Sequence, residues 1–390
     1  MSFIELEILA TEQRLVDLCK KYWELDSDET FIVSVSALAR EFDVQSNKLS
    51  KLVSENCHAY STQIKCKRCG SKYIFENRSD FQRRNASYNQ NWLCDKCRAE
   101  ENAKLVAERA KLDEARRIAV KETYQLSKTR QQIEIEELSF EHAVCLLSFV
   151  RAGVNEDLTS VKPINLLPAS GPFAPTKELH YDTLKMLYQN RLIYVHPDSP
   201  LEAFIFDENN KTVISQFYLD DVMWALPYGK RSSKSEHLIE DLENVFLNMN
   251  WPNHWFEERI PFWQKISLHE CLQYLMFSLD QHGFKFTPGE KTNLVFNNLL
   301  EDHSVAQAYN FIWRAARDAA AFYMRENVPK QHAANTVVGS IQRQVERSRA
   351  EGWEVKGFRR DFRCPQSIIS RVLHDTVLHI GEDGFTKPIS

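Results

Sequence analysis

Along most of this chain apolar residues recur three and four positions apart, the spacing of one buried face of an α-helix. Leu15, Val16, Leu18, Cys19, Tyr22 and Trp23 mark a first helix between residues 11 and 25, starting near Thr11 and Glu12. A second begins at Ser34 or Ser36 and carries Leu38, Ala39 and Phe42, and a third carries Leu49, Leu52 and Val53. Asp43-Val44-Gln45 supplies the tight turn between them. From Arg98 to about Leu138 the chain is Ala, Glu, Lys, Arg and Gln-rich and lacks Gly and Pro, which predicts a long solvated helix. Its apolar stripe, including Leu105, Leu112, Ala119 and Leu126, is interrupted at Thr129 and Gln132. A helical arm packed on its own domain therefore fits better than a long zipper, although the stripe leaves room for a homodimer.

After an apolar helix from Phe140 to Val150, the run Pro163, Pro168, Gly171, Pro172 and Pro175 breaks the periodicity and reads as a linker between Gly153 and Pro175. A helix from Thr176 to Arg191 follows, then Leu192 to Pro197 as a strand, then Ala203–Phe206 and Val213–Tyr218 as a hairpin around Asp207-Glu208-Asn209-Asn210-Lys211. That order resembles a winged helix, and the acidic turn implies a protein-facing or structural one. Beyond Ser232, Leu238-Leu242-Val245-Phe246, Leu268-Cys271-Leu272-Leu275, Leu294-Phe296-Leu299-Leu300 and Tyr309-Ile312-Trp313-Ala316 predict a helical bundle with an aromatic core. The pattern thus predicts a mainly α, multi-domain protein: three helices over 1–56, a small β module over 57–100, a helical arm over 101–150, an α+β unit over 151–225 and a bundle over 226–390.

Cysteine spacing adds the one strong chemical signal. Cys66-Lys67-Arg68-Cys69 and Cys94-Asp95-Lys96-Cys97 are two Cys-x-x-Cys knuckles, and nine cysteines in 390 residues predict only about 0.2 such pairs by chance. Four thiolates in two close pairs are what a tetrahedral metal needs, and four sulfurs leave no open coordination position, so the ion is expected to be structural Zn2+. Iron is the other metal that four sulfurs hold. The segment from about 57 to 100 resembles the zinc ribbons and related treble-clef modules of nucleic-acid-handling proteins. Cys19, Cys57, Cys145, Cys271 and Cys364 are scattered, as buried reduced thiols are.

Next to it, a small residue central in the second helix, an apolar residue in the turn and a Leu/Val pair on the third resemble a helix-turn-helix. Asp43 stands where that family carries Gly, and Asp tolerates the left-handed conformation better than most residues. The resemblance implies that Gln45, Ser46, Asn47, Lys48 and Lys51, with Ser50, face base edges and phosphates. Lys67, Arg68, Arg83 and Arg84 lead a basic excess around the knuckles, interleaved with Tyr73, Phe75, Phe81, Tyr88 and Trp92. Such a surface fits phosphate and base contact; the alternative is that the rings form the module's small core.

A net charge of −5 removes generic polyanion binding by the whole chain, so nucleic-acid contact must come from local patches. No run of eighteen apolar residues and no basic-then-apolar leader is present, which predicts a cytoplasmic protein without a membrane span. Glu236, Glu240, Asp241, Glu243, Glu257 and Glu258 make the middle acidic and suit a protein partner. Lys356 to Arg363, with Arg343, Arg347 and Arg349, is a second basic and aromatic run. Gly-rich phosphate loops, the Gly-x-Ser-x-Gly elbow and His-Glu-x-x-His are all missing. Arg325 and His332 resemble the catalytic pair of HEPN-type ribonucleases, a spacing that chance alone supplies about twice in such a chain. The expectation is a DNA-binding regulator whose C-terminal bundle oligomerises, senses or docks a partner; the alternatives are a ribonuclease effector and a zinc-capped scaffold.

Overall fold

A computed structural model describes residues 3–83, 91–156, 158–166, 171–229 and 235–389. The fold is mainly helical, 57% helix against 10% strand, with small sheets. The chain forms two compact units, Met1–Leu112 and Asp113–Ser390.

The first unit begins with β1 (Ile4–Ile8), followed by α1 (Gln13–Trp23), α2 (Val35–Glu41) and α3 (Ser46–Asn56). Each helix buries the face its apolar spacing predicts: Leu18, Cys19, Tyr22 and Trp23 on α1, Leu38 and Ala39 on α2, Leu49 and Val53 on α3. The Ser34 hydroxyl caps α2 by accepting from the Ala37 amide at 3.2 Å. Between α2 and α3 the chain reverses through Asp43, at φ 46°, and the Val44 amide donates to the Ala39 carbonyl at 2.9 Å. A short polar side chain is what lets a non-glycine residue occupy that left-handed position.

From α3 the chain passes at Cys57 directly into β2 (Cys57–Lys65), which pairs antiparallel with β1, Ile4 against Ser61 and Ile8 against Cys57. β3 (Lys72–Phe75) pairs antiparallel on the other edge of β2. α4 (Arg78–Gln82) and α5 (Asp95–Thr123) follow. The boundary expected at residues 56 and 57 therefore has no linker: the three helices and the hairpin share one core, from Leu18 and Leu49 to Ala59, Phe75 and Phe81. The long helix ends at Thr123 rather than near Leu138, and only a short turn, Leu126–Thr129, continues it. Past residue 112 it belongs to the second unit, where Tyr124 stacks on Phe204 at 5.7 Å.

Within the second unit, helix Phe140–Gly153 is buried on nearly every side, as an apolar helix without a polar face must be. Helices Lys177–Gln189, Ser235–Leu247 and Ile368–Arg371 pack around it. The expected linker between Gly153 and Pro175 carries the short strand Ser160–Val161, which pairs with Trp224–Ala225; Tyr194–Val195 pairs on the other side. The hairpin is present as Phe204–Phe206 against Ile214–Phe217. These strands and helix Lys177–Gln189 share one core with Phe140–Gly153 and Ser235–Leu247, so residues 151–225 do not form a separate unit. Helix Trp255–Asp280 joins that core to a second: Trp255, Phe262 and Ile266 serve the first, and Cys271, Leu275 and Leu279 serve a bundle with Glu290–Leu300, Val305–Glu326 and Lys330–Glu351.

Candidate metal centre and the surface beside it

The β2–β3 hairpin turns over through the first knuckle. The Cys66 amide donates to the Ser71 carbonyl at 2.8 Å, the Gly70 amide to the Cys66 carbonyl at 2.9 Å, and Gly70 takes φ 75°. No atom crowds a Cβ there, so glycine serves the backbone angle rather than the space. The second knuckle opens α5: the Arg98 amide donates to the Cys94 carbonyl at 2.9 Å, which puts Cys94 and Cys97 at the helix N-terminus. Lys67 bonds through its amide to the Trp92 carbonyl at 3.0 Å, tying the two knuckles together.

The four sulfurs of Cys66, Cys69, Cys94 and Cys97 lie within 4.8 Å of one another, and those of Cys69 and Cys94 are 3.6 Å apart. Metal–sulfur bonds of about 2.3 Å in a tetrahedron require sulfurs about 3.8 Å apart, so these residues fit a four-sulfur ion with little movement. The surroundings of Cys66 and Cys69 favour thiolates. Burial opposes ionisation of Cys66, but the amides of Cys69, Cys94 and Arg68 donate to its sulfur and bring the thiol down to about 6. The Ser71 hydroxyl, 3.0 Å from the Cys69 sulfur, and the Ser71 amide lower Cys69 as well. Cys97, buried and facing three other sulfurs, is pushed up to about 12, the proton a bound cation would displace. The N-terminus of a long helix adds a favourable field for the negative cluster.

Around this cluster the expected nucleic-acid residues divide. Gln45, at the N-cap of α3, and Ser46, Asn47, Lys48 and Lys51 around its first turns are all exposed, with Ser50 half-buried. Lys51 lies 3.9 Å from Glu55. Lys67 is exposed and donates to Asn91 at 3.1 Å. Arg68 braces the two knuckles, pairing with Glu100 at 3.2 Å and reaching the Cys97 carbonyl at 3.5 Å. Arg83 is exposed; Arg84 and Tyr88 lie outside the described residues. Eleven Lys and Arg against four Asp and Glu fall between residues 44 and 98, whereas residues 1–43 hold four against ten.

Two expectations change. Arg78, which by its place in the sequence belongs to the basic excess around the knuckles, is buried: its Nε donates to the Tyr22 carbonyl at 2.7 Å and Nη1 to the Val33 carbonyl at 2.5 Å, and the guanidinium lies over the Tyr22 and Phe31 rings at 4.5 and 4.3 Å. It ties the end of α1, at the Tyr22 carbonyl, to the segment entering α2, at the Val33 carbonyl, a role hidden in sequence except for its place beside the helix-capping Asn77. Among the described rings Phe75 and Phe81 are core, packed edge-on at 5.2 Å, and the half-buried Tyr73 and Trp92 pack against that core, 5.0 Å apart, with the Tyr73 hydroxyl on Asp80.

In the second unit, Arg325 ends its helix paired with Glu326 at 2.7 Å, the chain turns at Asn327 (φ 48°), and His332 sits exposed in the first turn of the next helix. No hydrogen bond joins Arg325 and His332 among the described residues. No described helix is long and apolar enough to cross a membrane. Cys19, Cys57, Cys145, Cys271 and Cys364 are buried and free. No family model, curated protein or solved structure matches this chain.

Proposed function

We propose that residues 1–112 form a zinc-clipped DNA-binding module and that the second unit serves oligomerisation, partner recognition or sensing. In this reading α2, the Asp43 turn and α3 act as a helix-turn-helix, and α3 is the helix that enters the major groove. The β2–β3 hairpin then takes the place of a wing beside it. One observation carries the reading: α3 buries Leu49 and Val53 while keeping Gln45, Ser46, Asn47, Lys48 and Lys51 outside, on the basic half of the unit. Side chains of these kinds match the donor and acceptor edges of bases and the charge of phosphates.

Zinc would be held by Cys66, Cys69, Cys94 and Cys97, and its contribution is structural: it fixes a hairpin tip to the start of α5. With the second pair on a helix rather than on another hairpin, the arrangement is closer to a treble clef than to a ribbon. A cytoplasmic setting fits thiols kept reduced. Arg325 and His332, each exposed and the arginine already paired, lend the ribonuclease reading no support; a zinc-capped scaffold is the alternative that binding data must separate.

The test is metal analysis of the purified chain followed by binding to labelled duplex DNA, single-stranded DNA and RNA over a salt series, with the RNA checked for integrity. One zinc per chain and salt-sensitive duplex binding, both lost in Cys66→Ser/Cys94→Ser, support the proposal. Zinc without affinity for duplex DNA supports the scaffold, and RNA cleavage lost in His332→Ala the ribonuclease.

A further inference from the structure

The basic run near the C-terminus carries a second inference, independent of α3. Between Trp353 and Cys364 the chain has almost no regular secondary structure, yet it is fastened along helix Val305–Glu326. The Phe358 amide donates to the Ala306 carbonyl at 2.8 Å, Gln307 to the Val355 carbonyl at 3.0 Å and Asn310 to the Lys356 carbonyl at 2.8 Å. Gly357 lies so close that a Cβ would stand 3.1 Å from the Ala306 methyl, so a larger residue would lift the strap. This segment is a fixed strap rather than a solvated tail.

Its side chains divide by direction. Arg360 points inward to Glu270, which is fully buried, at 3.0 Å, and lies over the Phe385 ring at 4.2 Å; the Ser370 hydroxyl donates to the same carboxylate oxygen at 2.7 Å. A buried charge pair of this kind holds the strap in register, because removing either partner strands the other. Lys356 and Arg359 point outward, and neither has an acidic partner among the described residues.

They line an open cleft of about 780 Å³ whose other walls include Trp313, Phe277 and Phe358. Trp313 is 43% exposed, with Phe358 edge-on at 5.9 Å. The single carboxylate in the lining, Asp361, is already taken by Arg363 at 2.9 Å. Two unneutralised cations beside one exposed ring, Trp313, over which the Arg317 guanidinium also lies at 4.8 Å, are what a phosphate backbone with an unstacked base requires. Because the cleft is open and the sequence lacks a Gly-rich phosphate loop, it suits a passing strand better than an enclosed cofactor. We propose that this cleft binds a short segment of single-stranded nucleic acid, with phosphates on Lys356 and Arg359 and a base stacked on Trp313.

The test uses the full chain carrying Lys48→Glu/Lys51→Glu, which removes the contacts proposed for α3. Fluorescence anisotropy follows a fluorescein-labelled oligothymidylate of about ten nucleotides at about 50 mM salt, with a fluorescent ADP analogue as a separate arm. Adding Lys356→Glu/Arg359→Glu is expected to cut oligothymidylate affinity by about tenfold or more and the salt slope by about 1.4, about 0.7 for each phosphate that loses its cation. Trp313→Ala is expected to cut affinity by about tenfold with the slope unchanged. Both substitutions lie on exposed positions, so unchanged circular dichroism confirms folding. Oligothymidylate binding that is absent, or indifferent to Lys356→Glu/Arg359→Glu, overturns the proposal; so does binding of the ADP analogue alone, which would make the cleft a small-molecule site.

Discussion

The two units solve the same problem with different means. The second buries Phe140, Phe246, Trp251, Trp255 and Phe262 against one another, with centroids such as Phe140–Trp251 and Phe246–Trp255 at 5.4 and 5.2 Å, and continues that packing into a bundle. The first has a far smaller core, and its knuckle-bearing tip beyond Ile64 and Phe75 is held by a few hydrogen bonds, Arg68 and the four sulfurs rather than by apolar packing. Where apolar area is abundant the hydrophobic effect suffices; where it is scarce, four clustered sulfurs that fit an ion and a buried arginine stand in its place. The surface over the scarce core is left free for polar residues, and that is where the candidate DNA-contacting side chains lie.

Removing the metal tests this contrast most severely. Small zinc modules draw on the order of 10 kcal/mol from their ion, so a chelator, or Cys66→Ser/Cys94→Ser, is expected to unfold the hairpin tip and the start of α5 while the second unit melts as before. Two transitions in differential scanning calorimetry, one metal-dependent and one not, would display it; a single transition insensitive to chelation would erase the distinction.

Phe140→Ala is the converse case. It removes a ring packed against four others and is expected to cost about 3–5 kcal/mol in the second unit, read by denaturant unfolding, with metal content unchanged. In the first unit, Arg78→Ala leaves buried carbonyls at Tyr22 and Val33 without a donor, and about 3 kcal/mol should be lost. Arg78→Lys should restore little, since an ammonium cannot reach both carbonyls while lying flat between the Tyr22 and Phe31 rings.

The second unit should also be the more acid-sensitive in one respect. Burial, with the Lys265 charge adding to it, holds the His269 imidazole down to about 4, while its ring accepts or donates at 2.7 Å to Thr176. Between the ordinary value of 6.5 and about 4 the unfolded chain takes a proton that the folded chain refuses, so stability falls as pH drops through that window. The loss is at most about 3.4 kcal/mol. Unfolding midpoints at pH 7 and pH 5 measure it, and His269→Gln should flatten the dependence.

Much of this was readable from residue order. Periodicity placed α1, α2 and α3, the helix from Phe140 and the bundle, because each buries one face at a fixed spacing. Cys-x-x-Cys spacing brought four sulfurs together since it encodes local turns and one long-range closure. What stayed hidden was long-range pairing. Nothing in Ile4–Ile8 says that it will sit beside Cys57–Lys65, so the hairpin read as a separate module. Nor does the sequence around Arg78 distinguish an arginine facing solvent from one that closes a helix end, and Arg359 and Arg360 look identical until one is seen to pair with Glu270. The long helix ends at Thr123, where Tyr124 meets Phe204, eighty residues away in sequence, a contact no local pattern announces.

The most direct test of the central claim is the affinity of the metal-loaded chain for random-sequence duplex DNA against salt, compared with Lys48→Glu/Lys51→Glu. Both lysines are exposed and outside the core, so the variant should keep its fold and its metal. The account predicts log–log salt dependence for the parent and a slope lower by about 1.8 in the variant, about 0.9 for each phosphate deprived of its lysine, with weaker binding throughout. Duplex affinity that is absent in the parent, or identical in the two proteins, would contradict it.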